Sequence, residues 1–467
     1  MSARATIEAE AAGRRAWAEE RNAGVGEGAR LTYDGPEAFG SEELHRWRLG
    51  NGLGVIVLVD ASAPVACYHT WFRVGSRHEK PGKTGLAHLF EHLMFNETEA
   101  LPAGTFDRKL EENGTETNAA TWVDWTYYHE SLPADRIKLV VELESERMAR
   151  LVLREPQVKS EKEVVMNERR YRVDDDVEGA ANELLYKTAF ERHAYSWPTI
   201  GWMQDIAGFT PEDCAAFYRT YYAPNNATVV VVGDVDEREA LLTIRDAYGK
   251  IPGQPVPPED VEPEPVQTDA REITVEKPTA TEKLLLAFKG PAFGDFDHVT
   301  MTVLSEILFG GRASRLYREL VIEKELATEV RGWVSTFRDP GLFECWVTAR
   351  DEHTTKDLQA ILDAAFARLR ADVVGEEELV RAKARLELAL LQQLETIPGK
   401  AEQIGFFETV LGEPSNAFRR LEVVRRTTTA DVRRVARRYL VDQARTIIRV
   451  LPDGSEAETG DGEEAAQ

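Results

Sequence analysis

The chain has 467 residues, 43% of them hydrophobic, and a formal net charge of −24. That length exceeds one ordinary core and fits two large domains or three modest ones. The charge argues against nucleic acid as a partner, because phosphates are repelled without a local basic patch; the acidic surplus reads chiefly as a solvated surface.

Three cysteines, Cys67, Cys214 and Cys345, lie far apart, which excludes a disulfide framework and a thiolate metal site. Cys67 and Cys345 sit in apolar, strand-like runs and read as buried thiols. No run approaches the ~20 apolar residues that span a bilayer, so no membrane partner is expected.

Residues 1–40 form a leader in which Ala, Glu and Arg alternate from Ala3 to Arg21, a polar helix or loose segment rather than a secretory signal. Taken from Met1, the chain is expected to be soluble and cytoplasmic, or periplasmic if a signal has been removed. Arg48 to Asp60 reads as strand, turn and strand around Asn51-Gly52, and Ala66 to Val74 as another strand. Apolar spacing predicts helices over Gly85 to Phe95, Phe106 to Asn113, Ala134 to Leu153 and Glu155 to Arg172.

The first half closes with Thr210-Pro-Glu-Asp, a helical run to Tyr221-Tyr222, the buried strand Thr228 to Val232, and Gly233-Asp234. Prolines 252, 255, 257, 258, 263 and 265 make residues 251–270 a stiff, exposed linker. The second half closes in the same order, with Thr429-Ala-Asp, a helical run to Tyr439-Leu440, Thr446 to Val450, and Pro452-Asp453-Gly454. The halves read as diverged copies, domains at 41–250 and 271–453, followed by a disordered acidic tail at 454–467. Alternating, hairpin-like strands mixed with helices give the class α+β, two sandwiches each with a mainly antiparallel sheet packed by helices.

His88 and His92 are i and i+4 on a predicted helix, so both imidazoles leave the same face. That spacing suits two ligands on one Zn²⁺. Glu91, i+3 from His88, is placed to act on a metal-held water as general base without being a ligand. His-x-x-Glu-His is the inverse of the commoner His-Glu-x-x-His arrangement. Two helix histidines beside a surface glutamate are the plainer alternative, but the full five-residue pattern behind Gly82 and Gly85 favours the metal. A catalytic zinc keeps three protein donors. The third is sought on the Glu155 to Arg172 run, where Glu161 and Glu168 share a face, but spacing alone does not choose among Glu161, Glu163 and Glu168.

Gly75-Ser-Arg-His-Glu79 followed by Gly82-Lys-Thr-Gly-Leu-Ala-His-Leu-Phe-Glu-His-Leu-Met-Phe-Asn96 resembles the pitrilysin/insulinase family of zinc peptidases. The likeness is greatest to its half-length branch, which includes the mitochondrial processing peptidase and bacterial relatives. It extends over Glu116-Thr-Asn-Ala-Ala-Thr121 with Asp124 and Tyr127, Trp197-Pro-Thr-Ile-Gly201, Tyr222-Ala-Pro-Asn-Asn226, and Gly310-Gly311 with Ser314-Arg-Leu-Tyr317. The resemblance implies His88 and His92 as ligands, Glu91 as base, Glu168 as third ligand and Glu161 as a supporting glutamate of the catalytic set. It also implies half of a clamshell, and a peptide substrate added as a strand along Thr117, Asn118, Ala119, Ala120 and Thr121, with Asn118 as the polar contact. His129 is expected in a strand near that edge, and His69, His78 and His193 in loop or core positions.

Full-length members of the family place an arginine and a tyrosine in the opposite half to hold the substrate carbonyl. Here those positions fall on Val321 and Thr328, so neither group is present. The expectation is a zinc endopeptidase cutting oligopeptides or unfolded segments as the catalytic subunit of a dimer. A homologous partner chain, or a second copy, would supply the missing pair. The alternatives are a non-catalytic scaffold or binding subunit and a processing enzyme for targeting peptides.

Overall fold

Every residue of the valine-rich run Ala227–Gly233 is buried, as a strand covered on both faces requires. Such runs, and the hairpins around them, build the molecule. The computed structural model describes residues 3–454, with side chains from residue 7 onward. The tail expected to be disordered lies, from residue 455 on, outside the described residues.

The first half holds α1 (Ala3–Arg21), β1 (Leu31–Phe39), β2 (Glu42–Leu49), β3 (Gly54–Val59), β4 (Val65–Phe72), α2 (Leu86–Leu93), α3 (Thr105–Glu111), β5 (Glu116–Thr121) and β6 (Thr126–Pro133). It continues with α4 (Ile137–Arg150), α5 (Glu155–Arg169), α6 (Val177–Ala189), α7 (Met203–Gly208), α8 (Pro211–Tyr221), β7 (Ala227–Gly233) and α9 (Glu237–Tyr248). Residues 251–270 carry neither helix nor strand. After them come β8 (Arg271–Lys277), β9 (Lys283–Lys289), α10 (Phe296–Phe309), β10 (Ala327–Val334), β11 (Leu342–Ala349) and α11 (Thr355–Ala371). The last elements are α12 (Glu376–Gln393), α13 (Ile397–Leu411), α14 (Asn416–Arg426), α15 (Thr429–Tyr439) and β12 (Arg445–Pro452).

Two compact units result. The first comprises Met1–Met166, Thr199–Asp260 and Leu391–Phe418. Its sheet runs β1-β2-β3-β7-β4-β6-β5, antiparallel throughout except for β3 beside β7, and β5 forms one edge. Helix α13 lies across β4 and β7. A Cβ on Gly405 of α13 would sit 1.9 Å from the Trp71 indole nitrogen, so glycine is what lets the helix rest on that ring.

The second unit comprises Asn167–Pro198, Val261–Leu390 and Arg419–Gln467. Its sheet runs β10-β11-β9-β12-β8, antiparallel except for β12 beside β8. Helix α6 packs on β12 and β9, while α10, α11 and α15 cover the opposite, apolar face with Leu284, Val330, Phe343 and Ile447. Read from the parallel pair outward, β3-β7-β4-β6-β5 and β8-β12-β9-β11-β10 have the same order and the same pairing directions. The helix before the last strand of each set opens on a reciprocal cap, Thr210 with Asp213 and Thr428 with Asp431. The α+β class and the duplication are both realised. Cys67, Cys214 and Cys345 are buried free thiols.

Candidate metal centre

Helix α2 has only eight residues, and its N-cap is Gly85, at a φ of 97°, which has no side chain to cap the first turn. A buried carboxylate caps it instead. Glu79 Oε2 accepts from the Gly85 amide at 2.8 Å and Oε1 from the Ala87 amide at 2.7 Å. Asp205 Oδ2 accepts from the Thr84 amide at 3.1 Å and its hydroxyl at 2.7 Å, and the Trp202 amide donates to that hydroxyl at 3.0 Å. Burial pushes the Glu79 carboxyl up to about 8, against the pull of its two amide bonds and with the help of Asp205.

Gly85 and Gly201 meet backbone to backbone. A Cβ on Gly201, whose φ is +85°, would lie 2.3 Å from the Thr84 carbonyl oxygen and 2.5 Å from Gly85 Cα. This explains why a loop far along the chain ends in Pro-Thr-Ile-Gly201. Arg77, also buried, donates to Asp124 Oδ1 at 2.9 Å and ties the segment before α2 to the β5–β6 turn.

On α2, Leu89, Phe90 and Leu93 are fully buried, and the Phe90 carbonyl accepts from the Tyr128 hydroxyl at 3.0 Å. With that face fixed, His88 and His92 leave together, their ring centroids 5.0 Å apart and inclined by 68°. The third candidate donor lies on α5, which runs unbroken from Glu155 to Arg169. One donor atom each of His88, His92 and Glu168 lies within 4.8 Å of the others, and among the described residues this is the one such group. His88 is buried and the other two are half-buried. Two imidazole nitrogens and a carboxylate oxygen are the donor types zinc takes, with a position left open.

Glu161, one heptad earlier on α5, places Oε2 3.9 Å from His92 Nδ1 and accepts from Asn96 Nδ2 at 3.1 Å. Glu163 faces solvent. Of the three glutamates that spacing left open, Glu168 is the one whose carboxylate converges with both histidines. Arg172 Nη1 pairs with Glu168 Oε1 at 2.9 Å. The α-helix expected through Arg172 ends at Arg169 and widens into a π-type turn, Arg170–Asp174.

Strand β5 pairs with β6 on one side and, among the described residues, has no strand on the other. Asn118 is exposed on it and accepts the Ala119 amide at 2.9 Å, Thr121 is buried, and Thr117, Ala119 and Ala120 are half-buried. Helix α2 packs beside this strand. His129 lies on β6, paired with Asn118, and His69 is buried on β4. His78 and His193 cap local turns. Val321 packs against the core of the second unit, and the Thr328 hydroxyl donates to the Thr348 carbonyl at 3.4 Å.

The Glu79 and Asp205 caps were not foreseen. Glu79 stood inside the Gly75-Ser-Arg-His-Glu79 motif, but nothing in the residue order reveals that its loop folds back over the helix start.

Residues 55–201 match the family described as insulinase (peptidase family M16), and residues 208–386 match the peptidase M16 inactive domain. The zinc protease PqqE of Helicobacter pylori is 31% identical over 412 residues, 86% of this chain and 92% of that protein. The mitochondrial-processing peptidase subunit beta of Blastocladiella emersonii is 26% identical over 412 residues, 87% of this chain and 88% of that protein.

Among solved structures, a protease from Helicobacter pylori superposes with a TM-score of 0.85 at 29% identity, covering 88% of this chain and 100% of that one. The periplasmic protease PqqL of Escherichia coli shares the fold, with a TM-score of 0.73 at 22% identity over 91% of this chain and 49% of that one. The chain belongs to the insulinase family of peptidases, M16, and to its half-length members.

Proposed function

We propose that the chain is a zinc-dependent endopeptidase hydrolysing oligopeptides or unfolded segments. The observation that carries this is the convergence of His88, His92 and Glu168, with Glu91 on the same short helix as the two histidines. Relatives named as zinc proteases support it. Zinc, when bound, would supply the Lewis acid for this hydrolysis and lower the pKa of the attacking water.

His88, His92 and Glu168 would hold the ion. Glu161 steadies the His92 ring through its Nδ1. Glu91 takes the proton from the water and passes it to the leaving amine. The peptide lies as an added strand on β5 from Thr117 to Thr121, where main-chain bonds hold it whatever its sequence and Asn118 adds a side-chain contact.

We also infer a partner. The chain covers about half of the longer PqqL protein, and its second half provides Val321 and Thr328 where a carbonyl-binding arginine and tyrosine are needed. A homologous chain, or a second copy, would bring them. The match of residues 208–386 to an inactive domain favours a second reading, a scaffold subunit of a peptidase complex. No helix among the described residues is long and apolar enough to cross a membrane.

The test is metal content with peptide hydrolysis, on the chain alone and with whatever co-purifies. Glu91→Gln should keep one zinc and lose at least about a hundredfold in turnover, since it removes a base and no ligand. Loss of zinc in that variant would show the role misassigned. Zinc-loaded wild type that cuts no peptide with or without its partner would leave the scaffold reading standing, and full activity from a monomer would remove the partner.

A further inference from the structure

We propose that Arg172 is a positioning residue for the metal centre: its guanidinium holds the carboxylate of Glu168, and the widened turn after α5 brings it there. The inference rests on the reading of Glu168 as a zinc ligand.

Glu168 stands one residue before the end of α5 at Arg169. The next turn, Arg170–Asp174, is of the π type, and the Asp175 amide donates to the Arg170 carbonyl at 2.8 Å. Single π turns within helices recur at functional sites. From this one, Arg172 Nη1 reaches back to Glu168 Oε1 at 2.9 Å.

Helix α6 pins the turn. Arg169, at its start, is buried, and its guanidinium donates to Glu183 on α6 at 2.7 and 3.1 Å and pairs with Asp174 at 3.4 Å. Asp176 caps α6 by accepting the Gly179 amide at 2.6 Å. A Cβ on Gly179 would lie 2.0 Å from the Arg172 carbonyl oxygen, so glycine is what lets the turn rest on the helix. The main chain of Arg172 is thereby fixed, while its side chain is 68% exposed, against 17% for Glu168.

An ion pair between residues four apart, with one partner this exposed, adds little to stability. An anchored turn that delivers such a pair therefore points to the carboxylate it holds rather than to the fold. Partners of this kind set the orientation of metal ligands and are felt in metal affinity. A guanidinium on one oxygen leaves Glu168 a single oxygen for the ion. That keeps the protein donors at three and one position open for water.

The test measures zinc affinity by competition with a calibrated chelator, and the visible spectrum after loading with Co²⁺, whose absorption reports coordination geometry. Arg172→Ala should lose about tenfold in zinc affinity while melting as wild type does. Arg172→Lys should recover part of the loss, since it restores the cation without the planar fork. The Co²⁺ bands of Arg172→Ala should weaken towards those of a five-coordinate site, as the released oxygen joins the ion. A contact that served only the fold would not change coordination. Arg170→Ala removes an exposed arginine of the same turn that bonds Asn167 instead of Glu168, and it should match wild type.

Unchanged zinc affinity and Co²⁺ spectrum in Arg172→Ala, or equal losses in Arg172→Ala and Arg170→Ala, would overturn the inference. A Glu168→Gln chain that binds zinc as tightly as wild type would instead remove Glu168 from the ligand set, and with it the reading on which the inference rests.

Discussion

Glu79 Oε1 accepts the backbone amide of Ala87 at 2.7 Å, one residue before the candidate ligand His88. The other oxygen holds Gly85, so one buried carboxylate fixes the turn from which the metal-binding face begins. Glutamine at this position keeps one acceptor and turns an NH₂ group toward an amide donor. Glu79→Gln is expected to destabilise the fold by about 1–3 kcal/mol.

The pH dependence has a defined sign. Burial moves the Glu79 carboxyl from 4.5 to about 8, so between those values the native chain holds a proton that the unfolded chain has released. Stability from this group is complete below the unfolded value and is lost as pH rises through the folded one. Urea midpoints should fall from about pH 5 to about pH 8 in wild type and fall less in Glu79→Gln. Parallel slopes for the two proteins would contradict this account.

Gly201→Ala tests the backbone contact that seats α2. The new methyl meets the Thr84 carbonyl at 2.3 Å, at a φ of +85° that disfavours any side chain. Left-handed strain alone contributes about 1–2 kcal/mol, and the clash adds to it. Thermal unfolding should drop, and zinc affinity with it, because Thr84 and Gly85 lead directly into the helix. Gly82→Ala also sits at positive φ, but a Cβ there meets nothing within 4 Å, so it is the strain-only control.

Local pattern and tertiary arrangement divide what residue order could reveal. The shared face of His88 and His92 was readable because helical geometry alone sets it. Which glutamate joins them was not, since Glu161, Glu163 and Glu168 are equally helical and only Glu168 brings a carboxylate oxygen within 4.8 Å of both imidazoles. The duplicated strand order showed through matching caps and buried runs. That α13 would cover β4 and β7 did not, because an amphipathic stripe does not say which sheet it meets. Gly405, which allows the approach to Trp71, is the one local trace of it. The widening after Arg169 was also hidden, since the apolar spacing continues past the point where the α-helix stops.

Substitutions on α5 should rank by their distance from the donor set. Glu168→Gln removes a donor and should weaken zinc most. Glu161→Gln leaves all three donors and loses the contact with His92 Nδ1 at 3.9 Å, which corresponds to about a ten- to hundredfold loss of affinity. Glu163→Gln, on the exposed side, should change nothing. Competition against a calibrated chelator gives the order. Equal effects at 161 and 163 would remove Glu161 from the site.

Arg147 tests the core beneath the peptide edge. Its side chain is fully buried, 3.3 Å from Glu130 on β6 and paired with Glu144 on its own helix. The rings of Phe95, Phe106 and Tyr128 lie 5.2, 4.6 and 4.4 Å from the guanidinium. Arg147→Met preserves much of the volume but leaves two carboxylates facing each other without a cation, a change of about 3–5 kcal/mol. Burial already holds the Glu130 carboxyl well above the usual carboxylate range, and without the guanidinium it must take up a proton in the native state, so the variant's deficit should shrink in acid and grow as pH rises. Adding Glu130→Gln and Glu144→Gln should restore part of the stability, because the remaining groups no longer carry charge. Urea unfolding of the single and triple variants at two pH values checks this, and a triple variant no more stable than Arg147→Met would show that ring packing, not charge, is what Arg147 provides.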